Sequence, residues 1–179
     1  MTDDILYFDL ETQKSFDEVG GRHNIRRLGL SVGVTYSTAD QDYHVYTEAD
    51  IDNLVRDLGQ ADMVVGFNVL RFDYEVLRAY SDYPFAQIPT VDMLDHVYRN
   101  LGFRVSLDSL ASATLNAAKS ADGLAAVRWY KMGQMDKIIA YCKQDVKVTK
   151  ELYEFGKKNG YVQFQDRRSF RLRKVSVRW

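Results

Sequence analysis

The sequence predicts an α/β sandwich, a mixed central β-sheet flanked by helices. Three observations lead there. Three short β-type segments follow one another early, at 5–10, 28–36 and 43–46, in the order of a meander. After them, short apolar runs at 63–66 and 90–92 alternate with helical periodicities, the pattern of parallel strands joined by crossover helices. A long stretch, 134–158, carries one apolar stripe at helical spacing, the last of the helices.

The elements follow in chain order. Residues 5–10 begin with an apolar run, Ile5 to Phe8, and read as a central strand. Residues 13–27 are polar, contain Gly20-Gly21 and carry Lys14, Arg22, Arg26 and Arg27, so they read as a loop passing near the first strand's end. Residues 28–36 alternate apolar with small or polar, a second strand; 40–42 make a turn and 43–46 a third strand. Thr47 is placed to cap a helix over 49–58, where Ile51, Leu54, Val55 and Leu58 share a face. The run 63–66 ends in Gly66 as a buried strand, 67–68 form a loop, and a helix is expected over about 71–80 with Phe72, Val76, Leu77 and Tyr80 on one side. Pro84 and Pro89 bracket a loop. Residues 90–92 form a short strand before a helix through Leu101, and Ser106 opens another to about Leu115. Residues 116–123 are small and polar, expected as a mobile loop. In the helix 134–158, Ile138, Ile139, Cys142, Val146, Thr149 and Tyr153 form the stripe, with Lys143, Lys147, Lys150 and Glu154 opposite. Gly160 can end it, and 161–165 with 169–177 alternate as a terminal hairpin.

The 179 residues are read as one domain, 1–179, with 161–179 a basic C-terminal β-hairpin. A single cysteine, Cys142, allows no internal disulfide framework. The acidic first residues lack the pattern of a secretory signal, and no apolar run reaches the roughly 20 residues a membrane helix needs. A cytoplasmic location without membrane partners is expected. Net charge is −1, but its distribution is uneven: residues 157–179 carry +7 and residues 1–156 carry −8. A carboxylate-rich body with a basic tail suits a metal site beside a phosphate-binding surface. A solvated terminal hairpin with charged outer positions would look the same.

Asp9 and Glu11 are separated by one residue, so on a strand they share a face at its end. Two carboxylates held that close repel, and a divalent metal is the usual compensation. Further carboxylates are then expected at the same point. Asp73 follows the loop of Asn68 and sits with Phe72 at a helix start, where the exposed N–H groups favour an acid. Tyr141 and Asp145 lie one turn apart on the edge of the long helix's apolar stripe. Singly, these are a solvated strand end, a helix cap and a hydrogen-bonded helix pair. Jointly they form an ordered pattern.

In that pattern, Asp9-Leu10-Glu11, Asn68-x-x-x-Phe72-Asp73 and Tyr141-x-x-x-Asp145, the sequence resembles the tyrosine subgroup of the DEDD 3′–5′ exonucleases (DEDDy), on a ribonuclease-H-like fold. Within that group it is similar to YprB-like domains related to the exonuclease of family B polymerases. The resemblance spans 5–155 and implies hydrolysis of phosphodiester bonds at a nucleic-acid 3′ end, single-stranded DNA being the expected substrate and RNA the other candidate. It implies Asp9, Glu11, Asp73 and Asp145 as ligands of two divalent ions, Mg²⁺ or Mn²⁺, about 4 Å apart. Asp9 would bridge them, Glu11 and Asp145 would hold the ion at the nucleophile, and Asp73 would reach the other through water. Tyr141 would orient the attacking water, since a phenol pKa of about 10 suits positioning better than deprotonation. Leu10, Thr12, Asn68 and Phe72 would contact the terminal nucleotide. A helicase or a replication or repair protein is the expected partner. The competing reading is a nucleic-acid-binding or helicase-accessory module without catalysis. No Gly-x-Gly-x-x-Gly, Walker or Gly-x-Ser-x-Gly motif supports small-molecule chemistry.

Other residues carry less. Asp92 at a strand end reads as a helix cap, or as a support for the site. His23, His44 and His96 are scattered, and Cys142 reads as packing. Trp129-Tyr130 could stack on a base or fill core, and Lys119 could touch phosphate.

Overall fold

A computed structural model describes residues 4–118, 122–166 and 168–179. Five strands form the main sheet: β1 (Ile5–Thr12), β2 (Leu30–Ser37), β3 (Asp42–Tyr46), β4 (Met63–Gly66) and β5 (Thr90–Asp92), in the order β3-β2-β1-β4-β5. The β1-β2-β3 meander is antiparallel, whereas β4 and β5 run parallel to β1. Parallel pairing needs crossovers, and α1 (Ile51–Gln60) and α2 (Asp73–Leu77) lie on them. The first strand is central, as its apolar run predicts.

Because strand side chains alternate, β1 divides the interior in two. Leu6, Phe8 and Leu10 pack with Leu54, Leu58, Val76, Leu77 and Phe85 on one face. Tyr7 faces the other core with Val32, Val34 and Val65, beneath α3 (Met93–Leu101), α4 (Leu107–Leu115) and α6 (Met135–Asn159). Burying each large apolar side chain contributes about 1.5–3 kcal/mol. The odd positions of β1 therefore turn toward α6, and Asp9 and Glu11 go with them.

One irregularity of the sheet opens the site. The β1–β4 ladder stops at Phe8 opposite Gly66, while β1–β2 continues to Thr12 opposite Leu30, with a register shift between Glu11 and Thr12. Gly66 leaves the room there that Val69 and the Phe8 carbonyl occupy. A Cβ on it would lie 2.2 Å from Val69 Cγ1 and 3.0 Å from the Phe8 carbonyl oxygen.

The 71–80 helix is shorter than its periodicity predicts. Asn68 adopts φ 68°, and Phe72 has φ −126° and ψ −72°, so helical geometry begins only at Asp73. Past Leu77 the chain breaks into turns through Ser81. The 13–27 loop contains a 3-10 turn, Arg22–Arg27, and α1 is entered through another, Glu48–Asp50, where the Asp50 carboxylate accepts from Thr47 N and Oγ1 at 2.9 and 2.7 Å. α5 (Gly123–Lys131) was not expected. Its signals are Asp122, whose carboxylate accepts from Ala125 N at 2.8 Å, and the buried Ala125, Ala126 and Val127.

α6 buries Ile138, Cys142, Val146, Thr149 and Tyr153, as the stripe predicts, with Ile139 half-buried. Gly160 ends it at φ 74°. The hairpin of β6 (Tyr161–Gln165) and β7 (Leu172–Ser176) follows. β7 starts later than the alternation predicts because the Asp166 carboxylate gathers the N–H groups of Arg168 and Ser169 into a turn. Thr114 Oγ1 on α4 donates to the Gln163 carbonyl at 3.1 Å and accepts from Gln163 N at 2.8 Å, fastening the hairpin to the body. Lys119 and Arg167 lie outside the described residues. Among the described residues, no helix is long and apolar enough to cross a membrane.

Candidate metal centre

The site assembles at the end of β1 that β4 leaves unpaired. Asp9 and Glu11 project from one face, and the Cys142 Sγ of α6 lies between strand and helix. Ligand atoms of Asp9, Glu11 and Cys142 all fall within 4.8 Å of one another. Cys142 is buried, as expected, yet it does more than pack: its S–H reaches the Asp9 carbonyl and Oδ2, each at 3.4 Å. Burial, followed by the neighbouring Asp9 and Glu11, pushes the thiol well up, so it stays protonated and acts as a donor.

Asp73 arrives from α2. Its Oδ1 accepts from Leu10 N at 3.1 Å in a buried setting. Burial raises its carboxyl to about 8, against the lowering effect of its own and Leu10's backbone N–H groups. Asp145 arrives from α6, half-buried. Burial, then Glu11, Asp73 and Asp145, hold Asp9 well above the ordinary aspartate range. Burial, then Asp145 and Asp73, do the same to Glu11. Asp73 and Asp145 thus act electrostatically on the Asp9–Glu11 pair, and three elements contribute carboxylates to this region. An all-oxygen set of this kind suits a hard divalent cation such as Mg²⁺ or Mn²⁺.

Tyr141 stands one turn before Asp145 on the same helix face. Trp129 of α5 meets its ring edge-on, centroids 6.0 Å apart at 71°. Trp129 therefore sets the position of Tyr141, a role its sequence context did not disclose. Asn68 and Phe72 lie on the loop that delivers Asp73. The Phe72 ring packs against Phe16 at 6.0 Å, and the Arg22 guanidinium sits 5.0 Å above the Phe16 ring. Asn68 Oδ1 accepts from Arg104 Nη2 at 3.1 Å. The buried Thr12 donates its hydroxyl to the Lys14 carbonyl at 2.9 Å. Leu10 does not join the carboxylates: its side chain is buried in the opposite core, and its main chain is what lies at the site.

Asp92 combines both of its predicted roles. Its carboxylate caps α3 through Leu94 N at 3.0 Å and Asp95 N at 3.3 Å, and it also takes Asn68 N at 2.8 Å and Leu70 N at 3.1 Å. The loop carrying Asn68 is thereby tied to a helix start.

A family model described as RNase_H superfamily (RNase_H_2) matches residues 6–155, a span that includes each of these site residues. No curated protein sequence matches the chain. Solved structures do, among them a family B DNA polymerase from the hyperthermophilic archaeon Pyrobaculum calidifontis, with a TM-score of 0.65 and 18% identity over 87% of this chain and 25% of that one. The chain thus spans about a quarter of that polymerase's length, and at this identity the likeness is one of fold.

Proposed function

The chain belongs to the RNase_H superfamily, and from that membership together with its carboxylate centre we propose that it is a divalent-metal-dependent 3′–5′ exonuclease of the DEDDy type. One observation carries this reading: Asp9 and Glu11 share the open end of β1, and Asp73 of α2 and Asp145 of α6 lie close enough to push both of their carboxyls upward. Such a cluster destabilises a protein unless it serves cations.

Asp9, Glu11 and Asp145 would hold the ions directly and Asp73 through water. When bound, the pair supplies charge neutralisation at the scissile phosphate and lowers the pKa of a bound water. The remaining work belongs to the chain. Cys142 donates its S–H to Asp9 and fixes the rotamer of that carboxylate. Leu10 N fixes Asp73. Tyr141, braced by Trp129, orients the attacking water with its hydroxyl. Asn68 and Phe72, with the main chain at Leu10 and Thr12, hold the terminal nucleotide by shape and stacking, which reads no sequence.

The test is a denaturing-gel time course on 5′-labelled single-stranded DNA and RNA with Mn²⁺, Mg²⁺ or EDTA, with Asp145→Ala alongside. A metal-dependent ladder shortening from the 3′ end and absent in the variant is expected. Oligonucleotide retention without cleavage in either metal would refute the enzyme and leave an accessory binding module.

A further inference from the structure

A cleft lies between the 103–109 segment and the terminal hairpin, with a volume of about 460 Å³. That is within the range of about 300–1,000 Å³ typical of ligand sites. Three guanidinium groups line it, Arg104, Arg168 and Arg173, against one carboxylate, Asp166. Both Asp166 oxygens are engaged, Oδ2 by Arg173 Nη1 at 3.2 Å and Oδ1 by the Arg168 and Ser169 N–H groups. The cleft is therefore electropositive toward a ligand. Its apolar wall is Phe103, 48% exposed, whose ring is backed edge-on by the buried Phe164 at 5.7 Å and 71°. A half-exposed aromatic ring on a rigid support beside arginines is the combination that single-stranded nucleic acid uses, base on ring and phosphate on guanidinium.

Continuity with the centre comes through Arg104. It lines the cleft, and its Nη2 binds Asn68, on the loop that ends in Asp73. The hairpin half of the cleft lies beyond residues 6–155, the span that the family model covers. We propose that this cleft holds the single-stranded nucleic acid upstream of the reacting end, with Phe103 stacking on a base and Arg104, Arg168 and Arg173 contacting successive phosphates. The direction of the strand rests on the exonuclease reading; the ligand of the cleft does not.

The test is fluorescence anisotropy of 5′-labelled oligo(dT)₁₂ with the whole chain, in EDTA so that no hydrolysis occurs, over a series of salt concentrations. The double variant Arg168→Gln/Arg173→Gln is expected to bind about tenfold more weakly, and its log Kd against log salt should flatten by about 1.4, the share of two phosphate contacts on a single strand. Phe103→Ala should weaken binding about fivefold or more while leaving the salt slope unchanged, because stacking releases no counterions. Arg178→Gln, an exposed basic position of the tail outside the cleft, should leave both unchanged. Equal loss in Arg178→Gln would mean that bulk tail charge is responsible and would overturn the proposal. So would an unchanged slope in the double variant, or no binding by the wild type. If the oligonucleotide is never shortened with Mg²⁺ or Mn²⁺ while the variants behave as stated, the cleft stands and the exonuclease reading falls.

Discussion

Asp92→Ala should cost about 3–4 kcal/mol of folding stability, although Asp92 is not placed to hold a metal. Its carboxylate accepts four backbone N–H bonds, from Asn68, Leu70, Leu94 and Asp95, three of them on Oδ1. Removing an aspartate N-cap costs about 1 kcal/mol. The Asn68 and Leu70 N–H groups lose a charged acceptor in a half-buried loop, at about 1–1.5 kcal/mol each. Against a typical stability of about 5–15 kcal/mol, the sum is large. Asp92→Asn can keep its oxygen toward the three groups on Oδ1 but turns an amide toward Leu70 N, so it should lose roughly half as much. Urea unfolding followed by circular dichroism measures both. A loss below about 1 kcal/mol in Asp92→Ala would mean that water replaces the carboxylate and that the loop does not depend on it. The same variants should also slow hydrolysis, because the loop they release leads into Asp73.

Asp145→Ala should lower hydrolysis at least about 100-fold, the scale of losing one transition-state-stabilising group. In EDTA it should melt higher than the wild type, by about 2–4 °C per kcal/mol of relieved repulsion, and a lower melting point would contradict the clustering of charge. The metal-free protein should lose stability as pH rises between the ordinary aspartate value of 3.8 and about 8, because folded Asp73 keeps a proton that the unfolded chain has released. Scanning calorimetry at pH 5 and 8 reads this, and Mg²⁺ or Mn²⁺ added at pH 8 should recover the loss by binding the folded state. Gly66→Ala should cost about 1–3 kcal/mol by overpacking, since its Cβ would meet Val69 and the Phe8 carbonyl. Denaturant unfolding with near-wild-type stability would show that the loop yields freely.

The sheet and two of the three carboxylate sources were readable because they rested on a strict period. Asp9 and Glu11 are two apart on a strand, and Tyr141 and Asp145 are four apart on a helix, so geometry follows from spacing. The buried stripe of α6 was readable for the same reason. What escaped depended on contacts between distant segments. The early end of α2 at Leu77, with turns through Ser81 where the periodicity ran on to Tyr80, is one case. The burial of the Leu10 side chain in the opposite core follows from the same period that placed Asp9 and Glu11, and leaves only its main chain for the terminal-nucleotide contact expected of it. α5 is short and weakly patterned, and the Asp122 cap was its clearest signal. The thiol of Cys142 looked like packing because its partner, Asp9, lies 133 positions away in the chain.

A strand that is interior for its first half and unpaired on one side for its second leaves backbone groups without a partner strand. Here a side chain takes the missing strand's place: Leu10 N gives its hydrogen to Asp73 Oδ1 instead of to a carbonyl. The Leu10 amide is therefore a spectroscopic reporter on the centre. Its hydrogen exchange should be slow in the wild type, accelerate in Asp73→Ala, and change when a divalent ion competes for the same carboxylate. A single backbone resonance, far from any labelled substrate, would then read whether the centre is assembled.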